Sequence, residues 1–593
     1  MGKALTGGWL GLLFSILMGL NTASAAVTLP EVKPVVSCEQ LAAMDFSSTL
    51  GDKVTINSAT LEKTTAGTFC EISATVAPSI GMKVALPAEK WTQRFLQVGC
   101  GGLCGSINLS LSNANGCVPA MNGEFAVAAT DMGHSGSMMD GSWAEDPQKR
   151  IDFAYRANHL TAVLSKALIQ AFYGQTQKYA YFMGCSDGGR EALMEAQRYP
   201  DDFNGITAGA PAAFFQFQNS FYHGGNVEMN QRKDGSSILL QDRLPILHQA
   251  VMAHCPTQSG VKDGLLENPW ACTFSDDWVK VCSAQQKEKS DCLTQEELDV
   301  AKKLYGGAAD ADGNQFVTGG LPLGSELKWP VPATQEGRSM SEMMVLPALQ
   351  YVLLPEANAP IKSLSAFPLT LENFKRVAEL APLYNAANTN LKPFMSRGGK
   401  LLMWHGLADD SVSPTFSLAY YQGVVSELGQ SSVDSFLKLF LLPGVGHCGG
   451  GNGFDQINLL TPLMAWVEEH QAPQQIIAGQ PAQKAPEMAP PVLTGKTGTS
   501  AEESAQAHFH GVQQASAPFA SPAVELKATR PIYPYPYIAK YNGTGDPNSA
   551  DSYQPMKSAA FSNLRFGKPA IDFIGPDNQR NYQVRDGKLT PVQ

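Results

Sequence analysis

The sequence predicts an α/β fold: a mainly parallel sheet, covered by helices on both faces and interrupted by a large inserted lid. Three observations lead there. Short apolar runs alternate with helical periods between about residues 94 and 211, which is the rhythm of a parallel sheet. That rhythm breaks at about residue 212 and returns at Gly399–Gly406. Within the first stretch, the aromatic strand Tyr179–Met183 turns through Gly184-Cys185-Ser186-Asp187-Gly188 into the helix formers Glu191–Ala196.

In chain order, residues 1–25 read as a signal peptide. Lys3 supplies the charge, Trp9–Leu20 the apolar run and Ala23-Ser24-Ala25 the cleavage site. The run is short for a membrane span, and no later stretch is long and apolar enough to cross a bilayer. Residues 26–212 hold the first part of the core. An arm with Cys38 leads to alternating patterns over Val54–Pro87, which predict antiparallel strands. Arg94–Val98 and Phe125–Thr130 are strands, ending in the loops Gly99–Gly105 and Asp131–His134. Asn158–Tyr173 has helical period, and Asn204–Pro211 is a short strand running into a loop. Residues 213–395 form the lid, with Pro-rich turns and Trp270, Trp278 and Trp329. Residues 396–472 complete the core, with strands at Gly399–Gly406 and Phe436–Leu441, the loop Pro443–Cys448 and a helix from about Leu460 to Glu469. Residues 473–525, rich in Pro, Ala, Gln and Ser, read as a flexible insert. Residues 526–593 form a tail expected to pack on the core.

A chain of 593 residues, 44% hydrophobic, has ample material for a sizeable core. Its net charge of −11 is the wrong sign for a nucleic-acid binder. The 11 cysteines of an exported chain imply a disulfide framework with at least one thiol left over. No cysteine pair has zinc-site spacing.

A Gly-x-Ser-x-Gly between strand and helix is a nucleophile elbow, with Ser186 lifted out of the sheet by a strained turn. A serine hydroxyl needs a base, and the base needs an orienting acid. His447 lies in a glycine-rich loop after the last strand, where a base reaches the top of the sheet. His405 and His134, at strand ends, are pocket candidates. Asp409 and Asp410 both follow a strand and both qualify as the acid. The order serine, aspartate, histidine is that of α/β-hydrolases. Cys185 precedes Ser186 and Cys448 follows His447. If serine and histidine share a hydrogen bond, a bridge between these neighbours is feasible; otherwise they are two unrelated cysteines, one a small buried hydrophobe.

Several stretches together carry a resemblance: Gly184–Glu191, His405–Asp409, Pro443–Cys448, Arg530–Pro536, the loop from Gly99 to Ser106, and Ala129–His134. In these the chain resembles the tannase and feruloyl esterase family, over nearly all of its length outside the insert. The resemblance implies an α/β-hydrolase sheet with a large inserted lid domain. It implies Ser186 as nucleophile, His447 as base and Asp409 as acid, with the N–H groups of Gly99 and Asp187 as oxyanion hole. It also implies the disulfide Cys185–Cys448. Sequence proximity and the family pattern add Cys38–Cys70, Cys255–Cys272 and Cys282–Cys292, and among Cys100, Cys104 and Cys117 the favoured pair is Cys104–Cys117.

The chain also departs from the family. Members carry calcium in a loop between two lid cysteines, within a run of aspartates. Here Pro256 and Ser259 replace acidic residues and Lys262 adds positive charge. Only Asp263, Glu267 and the carbonyls of Val261 and Leu265 remain as ligands, so calcium is the less expected outcome. Tyr533 stands where a cysteine is found in relatives that cleave terephthalate monoesters, and their carboxylate-gripping lid arginine has only the poorly aligned Arg338 as counterpart.

The expectation is a periplasmic or secreted serine esterase for small esters of aromatic, phenolic acids. It needs no cofactor for its chemistry, no nucleic acid, and no membrane span after signal cleavage. The alternatives are a terephthalate monoester hydrolase, an acyltransferase, or a binding protein on the same fold.

Overall fold

A computed structural model describes residues 27–592 apart from 110, 112, 113, 115, 284–290 and 483–523. The expected signal peptide lies outside the described residues.

A nine-stranded sheet organises the chain. β1 (Val54–Thr64), β2 (Gly67–Val76) and β3 (Ile80–Pro87) form an antiparallel meander. β4 (Arg94–Val98), β5 (Phe125–Thr130), β6 (Tyr179–Cys185), β7 (Gly205–Gly209), β8 (Lys400–Gly406) and β9 (Leu437–Leu442) run parallel to one another. The spatial order is β1-β2-β3-β5-β4-β6-β7-β8-β9. From β4 the chain goes to β5 on one side and then crosses β4 to β6 on the other. Such a switch point opens a crevice at the C-terminal ends of the strands.

Strand alternation builds a core on each face. Phe95, Ala126, Ala128 and Phe182 pack on one side, and Leu96, Phe125, Val127 and Tyr181 on the other. A strand buried on both faces needs an unbroken apolar run, which Phe125–Ala129 supplies. The helix Ala157–Tyr173 covers the first face and Leu460–Glu469 the second.

Between β7 and β8 the chain leaves the sheet for the lid segment, with helices Leu244–His254, Gln295–Gly306, Met340–Pro347 and Leu371–Ala378. An aromatic cluster of Phe217, Phe221, Phe316 and Phe374 packs within it. Bridges Cys255–Cys272 and Cys282–Cys292 close two of its loops.

Two expectations need correction. The insert begins later than composition suggested, because β10 (Ile476–Pro481) pairs antiparallel with β11 (Leu526–Ile532) and is part of the folded body. Prolines and glutamines on both sides of β10 conceal it in the sequence. The cysteines pair as Cys38–Cys70 and Cys100–Cys104, with Cys117 free and buried, rather than as Cys104–Cys117. Cys104 belongs to the core on one face of the sheet, whereas Cys117 lies in the core on the other, its sulfur 3.7 Å from that of Met464. A disulfide does not cross a sheet.

Candidate active site

Ser186 joins β6 to the helix Asp187–Arg198 with φ 64° and ψ −121°, a conformation that is costly for any residue with a side chain. The surroundings enforce it. Ser186 N–H donates to Gly209 O at 3.0 Å, and Ser186 O accepts from the N–H groups of Arg190 (3.1 Å) and Ala212 (3.0 Å). A Cβ on Gly188 would stand 2.8 Å from Cys100 O, so only glycine fits where the helix start meets the loop after β4. Arg190, fully buried, grips the Asp187 carboxylate through Nε at 2.6 Å and Nη2 at 3.0 Å. It also donates to the carbonyls of Phe153 and Ala154. The first helical turn is thereby fixed, with the Asp187 N–H at its open end.

His447 reaches the elbow from the loop after β9. Its Nε2 accepts from Ser186 Oγ at 2.9 Å and its Nδ1–H donates to Asp409 Oδ2 at 2.8 Å. Asp409 is buried just past β8, and its Oδ1 accepts the N–H groups of Ser411 and Val412, each at 2.9 Å. Burial alone would raise its pKa. The His447 charge and the hydrogen bonds from His405 and His447 outweigh that and hold the carboxyl well below the usual range. On His447, burial pulls the pKa down and Asp409 pulls it up, with a net rise. Asp410 behaves in the opposite way, since burial and the Asp409 charge push it up to about 7. Of the two aspartates, Asp409 is the one that contacts His447.

The two pocket candidates lie elsewhere. His405 is buried beneath Asp409, with Nε2 2.9 Å from Val412 O and 3.2 Å from Asp409 Oδ2. Facing two acceptors, Nε2 carries the proton, and Nδ1 accepts from Ser417 Oγ at 2.7 Å. His405 thus props the acid from behind rather than lining a pocket. His134 bonds Leu103 O at 2.8 Å and stacks on Trp143, buried and with its pKa pushed down to about 4 by desolvation. It braces the loop after β4.

That loop requires another correction. Gly99 N–H donates to Met183 O at 2.9 Å, continuing the β4–β6 ladder, so it is not free to meet an oxyanion. Cys100 N–H goes to Glu191 Oε1 at 3.3 Å. Burial and the neighbouring Asp187 charge raise the pKa of Glu191, which also accepts from Asn158 Nδ2 at 2.8 Å. Among the described residues, the first N–H of the loop that meets no acceptor is that of Gly101. A run of glycines in the sequence signals such a loop but not which amide is free.

Cys185 and Cys448 are bridged, with Cα atoms 5.9 Å apart and a sequence separation of 263. Loop-closure arguments, themselves disputed, assign such a bridge roughly 5 to 6 kcal/mol. It also joins the residue before Ser186 to the residue after His447, which limits how far the two drift apart. A misplacement of about 1 Å costs on the order of a hundredfold in rate. Replacing both cysteines by alanine is expected to lower kcat more than it raises KM, well below the melting temperature. A variant that melts earlier yet keeps its kcat in the cold would reduce the bridge to a stability device.

The lid loop considered for calcium does not fit that ion. Asp263 is paired with Arg530 Nη2 at 3.0 Å, Glu267 accepts the Gln258 N–H at 2.8 Å, and Lys540 Nζ reaches Gln258 O at 3.2 Å. Two tail cations thus sit against the loop, and Arg530 is held between the rings of Phe454 and Tyr553. Chelation by EDTA is expected to leave the melting temperature unchanged. Arg530→Ala is expected to cost on the order of 2 kcal/mol, because it removes a desolvated cation–π contact and leaves Asp263 unpaired. A melting temperature that falls with EDTA would contradict this.

The sheet, its inserted lid and the strand-end serine with its histidine and aspartate define an α/β-hydrolase. The chain belongs to the tannase and feruloyl esterase family, whose profile matches residues 64–556. It is a carboxylic ester hydrolase. It is 26% identical over 548 residues to mono(2-hydroxyethyl) terephthalate hydrolase of Piscinibacter sakaiensis, across 82% of this chain and 84% of that protein. It is 29% identical over 510 residues to a probable feruloyl esterase of Arthroderma benhamiae, across 82% and 86%. Among solved structures, feruloyl esterase B from Aspergillus oryzae shares the fold with a TM-score of 0.70 at 23% identity, covering 88% of this chain and 99% of that one.

Proposed function

We propose that the chain is an exported esterase that cleaves esters of aromatic, phenolic acids through an acyl-enzyme on Ser186. The observation that carries this is the continuous relay Ser186–His447–Asp409 at 2.9 and 2.8 Å, on a strand-to-helix elbow. Ser186 Oγ attacks the ester carbonyl carbon while His447 Nε2 takes its proton. The carbonyl oxygen, now negative, is received by the N–H groups of Asp187 and Gly101. The C–O bond to the alcohol breaks as His447 returns the proton to the leaving oxygen. Water, deprotonated by the same nitrogen, then releases the acid and restores Ser186. The aromatic class is supported by the names of the relatives.

Export is supported by the leader-like residues 1–25 and by five disulfides. Periplasm and medium both meet that requirement. No helix of the described residues is long and apolar enough to cross a membrane.

The Piscinibacter relative favours a second reading, hydrolysis of terephthalate monoesters. Against it, Arg338 is half exposed and paired with Glu342 at 3.4 Å. Labelling of Ser186 by a fluorophosphonate, with turnover of a nitrophenyl ester, tests the chemistry. A panel of methyl ferulate, methyl gallate and mono(2-hydroxyethyl) terephthalate tests the acyl group. Label on another residue, or no turnover of any of these esters by folded protein, would refute the reading.

A further inference from the structure

The lid segment opens with a helical ribbon that runs past the catalytic aspartate. Gln218–Tyr222 forms a wide π-type turn and His223–Glu228 continues as α-helix. Tyr222 Oη donates to Asp410 O at 3.0 Å, and Gln218 Nε2 reaches Ser411 O at 3.5 Å. The ribbon therefore lies along the segment that follows Asp409. The wide turn has a geometric consequence. His223 N–H bonds Gln218 O, five residues back, so these two side chains fall on the same side of the ribbon. Asn226, three residues on, shares that side.

These side chains are only partly satisfied. His223, 2% exposed, uses Nδ1 on Ser341 Oγ at 3.0 Å, while its Nε2 is buried and makes no hydrogen bond. Gln218 Oε1 is likewise buried without a partner, on a residue 4% exposed, whereas the Asn226 side chain, 6% exposed, hydrogen-bonds the Tyr222 hydroxyl. A buried polar atom left without a partner is destabilising. Two such atoms on one side of a ribbon beside the acid of the relay are matched by a ligand that satisfies both. The charged groups that the His223 ring senses are His447 and Asp409, which puts the ring at the edge of the catalytic relay.

We propose that His223, flanked by Gln218 and Asn226, is a specificity subsite that hydrogen-bonds ring oxygens of a phenolic acyl group. Gln218 Oε1 accepts from a phenolic O–H, the second N–H of Asn226 Nδ2 donates to a hydroxyl or methoxy oxygen, and His223 Nε2 serves either way according to its tautomer. Desolvation keeps the ring neutral, with its pKa pushed down to about 3. A neutral ring suits a neutral phenol. It does not suit a second carboxylate, which would be buried beside Asp409 with no cation from this ribbon. The subsite rests on the reading of the acyl group as aromatic, and makes it narrower: oxygenated rings over bare ones.

The test is the ratio of kcat/KM for methyl ferulate to that for methyl cinnamate, which has the same skeleton without ring oxygens. It is measured for the unaltered chain, His223→Leu, His223→Gln and Asn226→Ala, each shown to be folded by fluorophosphonate labelling of Ser186. The unaltered chain is expected to prefer the ferulate ester. His223→Leu is expected to lower the ratio about tenfold or more, Asn226→Ala to lower it less, and His223→Gln, which keeps a polar atom near the Nε2 position, to restore part of it. Parallel losses on both esters, or an unchanged ratio, would overturn the subsite and make the ribbon a structural support. Failure of the unaltered chain to turn over either ester, while a nitrophenyl ester is cleaved, would overturn the aromatic reading itself and the subsite with it.

Discussion

Ser186→Ala is expected to lower kcat by about ten-thousandfold to a millionfold and to leave the fold intact. The substitution removes the hydroxyl that bonds His447 Nε2, so no acyl-enzyme forms. The backbone bonds that hold the elbow do not pass through Oγ. Ser186 N–H still meets Gly209 O, and Ser186 O still accepts from Arg190 and Ala212. Alanine keeps the same strained φ as serine, so melting should shift little. Residual rate would come from water and the oxyanion donors. Full esterase activity in a well-folded variant would dismiss the assignment.

The second large effect is expected at Asp409. Asp409→Asn should lower kcat by about ten-thousandfold, because the imidazolium formed during attack loses its counter-charge and the ring its fixed tautomer. Asp410→Asn should cost little, since Asp410 touches the relay only through charge. The pH profile separates the two. The base must be neutral, so the rate falls as pH drops through the His447 pKa. Asp409 raises that pKa above the ordinary 6.5, so the acid limb of kcat/KM should lie above that value. Removing the Asp409 charge should move the limb to lower pH. A larger loss from Asp410→Asn, or no movement of the limb in Asp409→Asn, would reverse the assignment.

What could be read from the sequence was mostly local. The elbow, the apolar strands and the helix Leu460–Glu469 announce themselves within a dozen residues, and the strand ends place Ser186 and His447 on one edge of the sheet. Asp409 and Asp410 could not be separated by spacing, because both follow β8; the family resemblance chose between them. His405 looked like a pocket residue since it closes the same strand, but the chain after it folds over and buries it against Ser417. Gly99 reads as an oxyanion donor because sequence does not tell how far a parallel ladder continues into a glycine loop. Cys104 and Cys117 are near in sequence and separated by a sheet, a fact of three dimensions only. His223 carries no local signal at all: its meaning depends on what the lid brings over it.

The bridge beside the nucleophile has a consequence for how the protein is made. Four of the five disulfides join cysteines 4 to 32 residues apart, whereas Cys185 and Cys448 are separated by 263. As the chain emerges from its N-terminus, the short-range pairs close almost as soon as they appear. Cys185 must stay reduced while the whole lid is synthesised, for roughly 13 to 50 s at ordinary rates of translation. Throughout that interval Cys117, which finds no partner in the finished protein, is nearer to it in sequence than Cys448. A premature bridge to Cys185 would fix the elbow in a wrong conformation and require thiol–disulfide exchange to undo. Yield of active enzyme in an oxidising compartment is therefore governed by the order of oxidation, and an isomerase should matter more to this chain than to one held only by its short-range bridges.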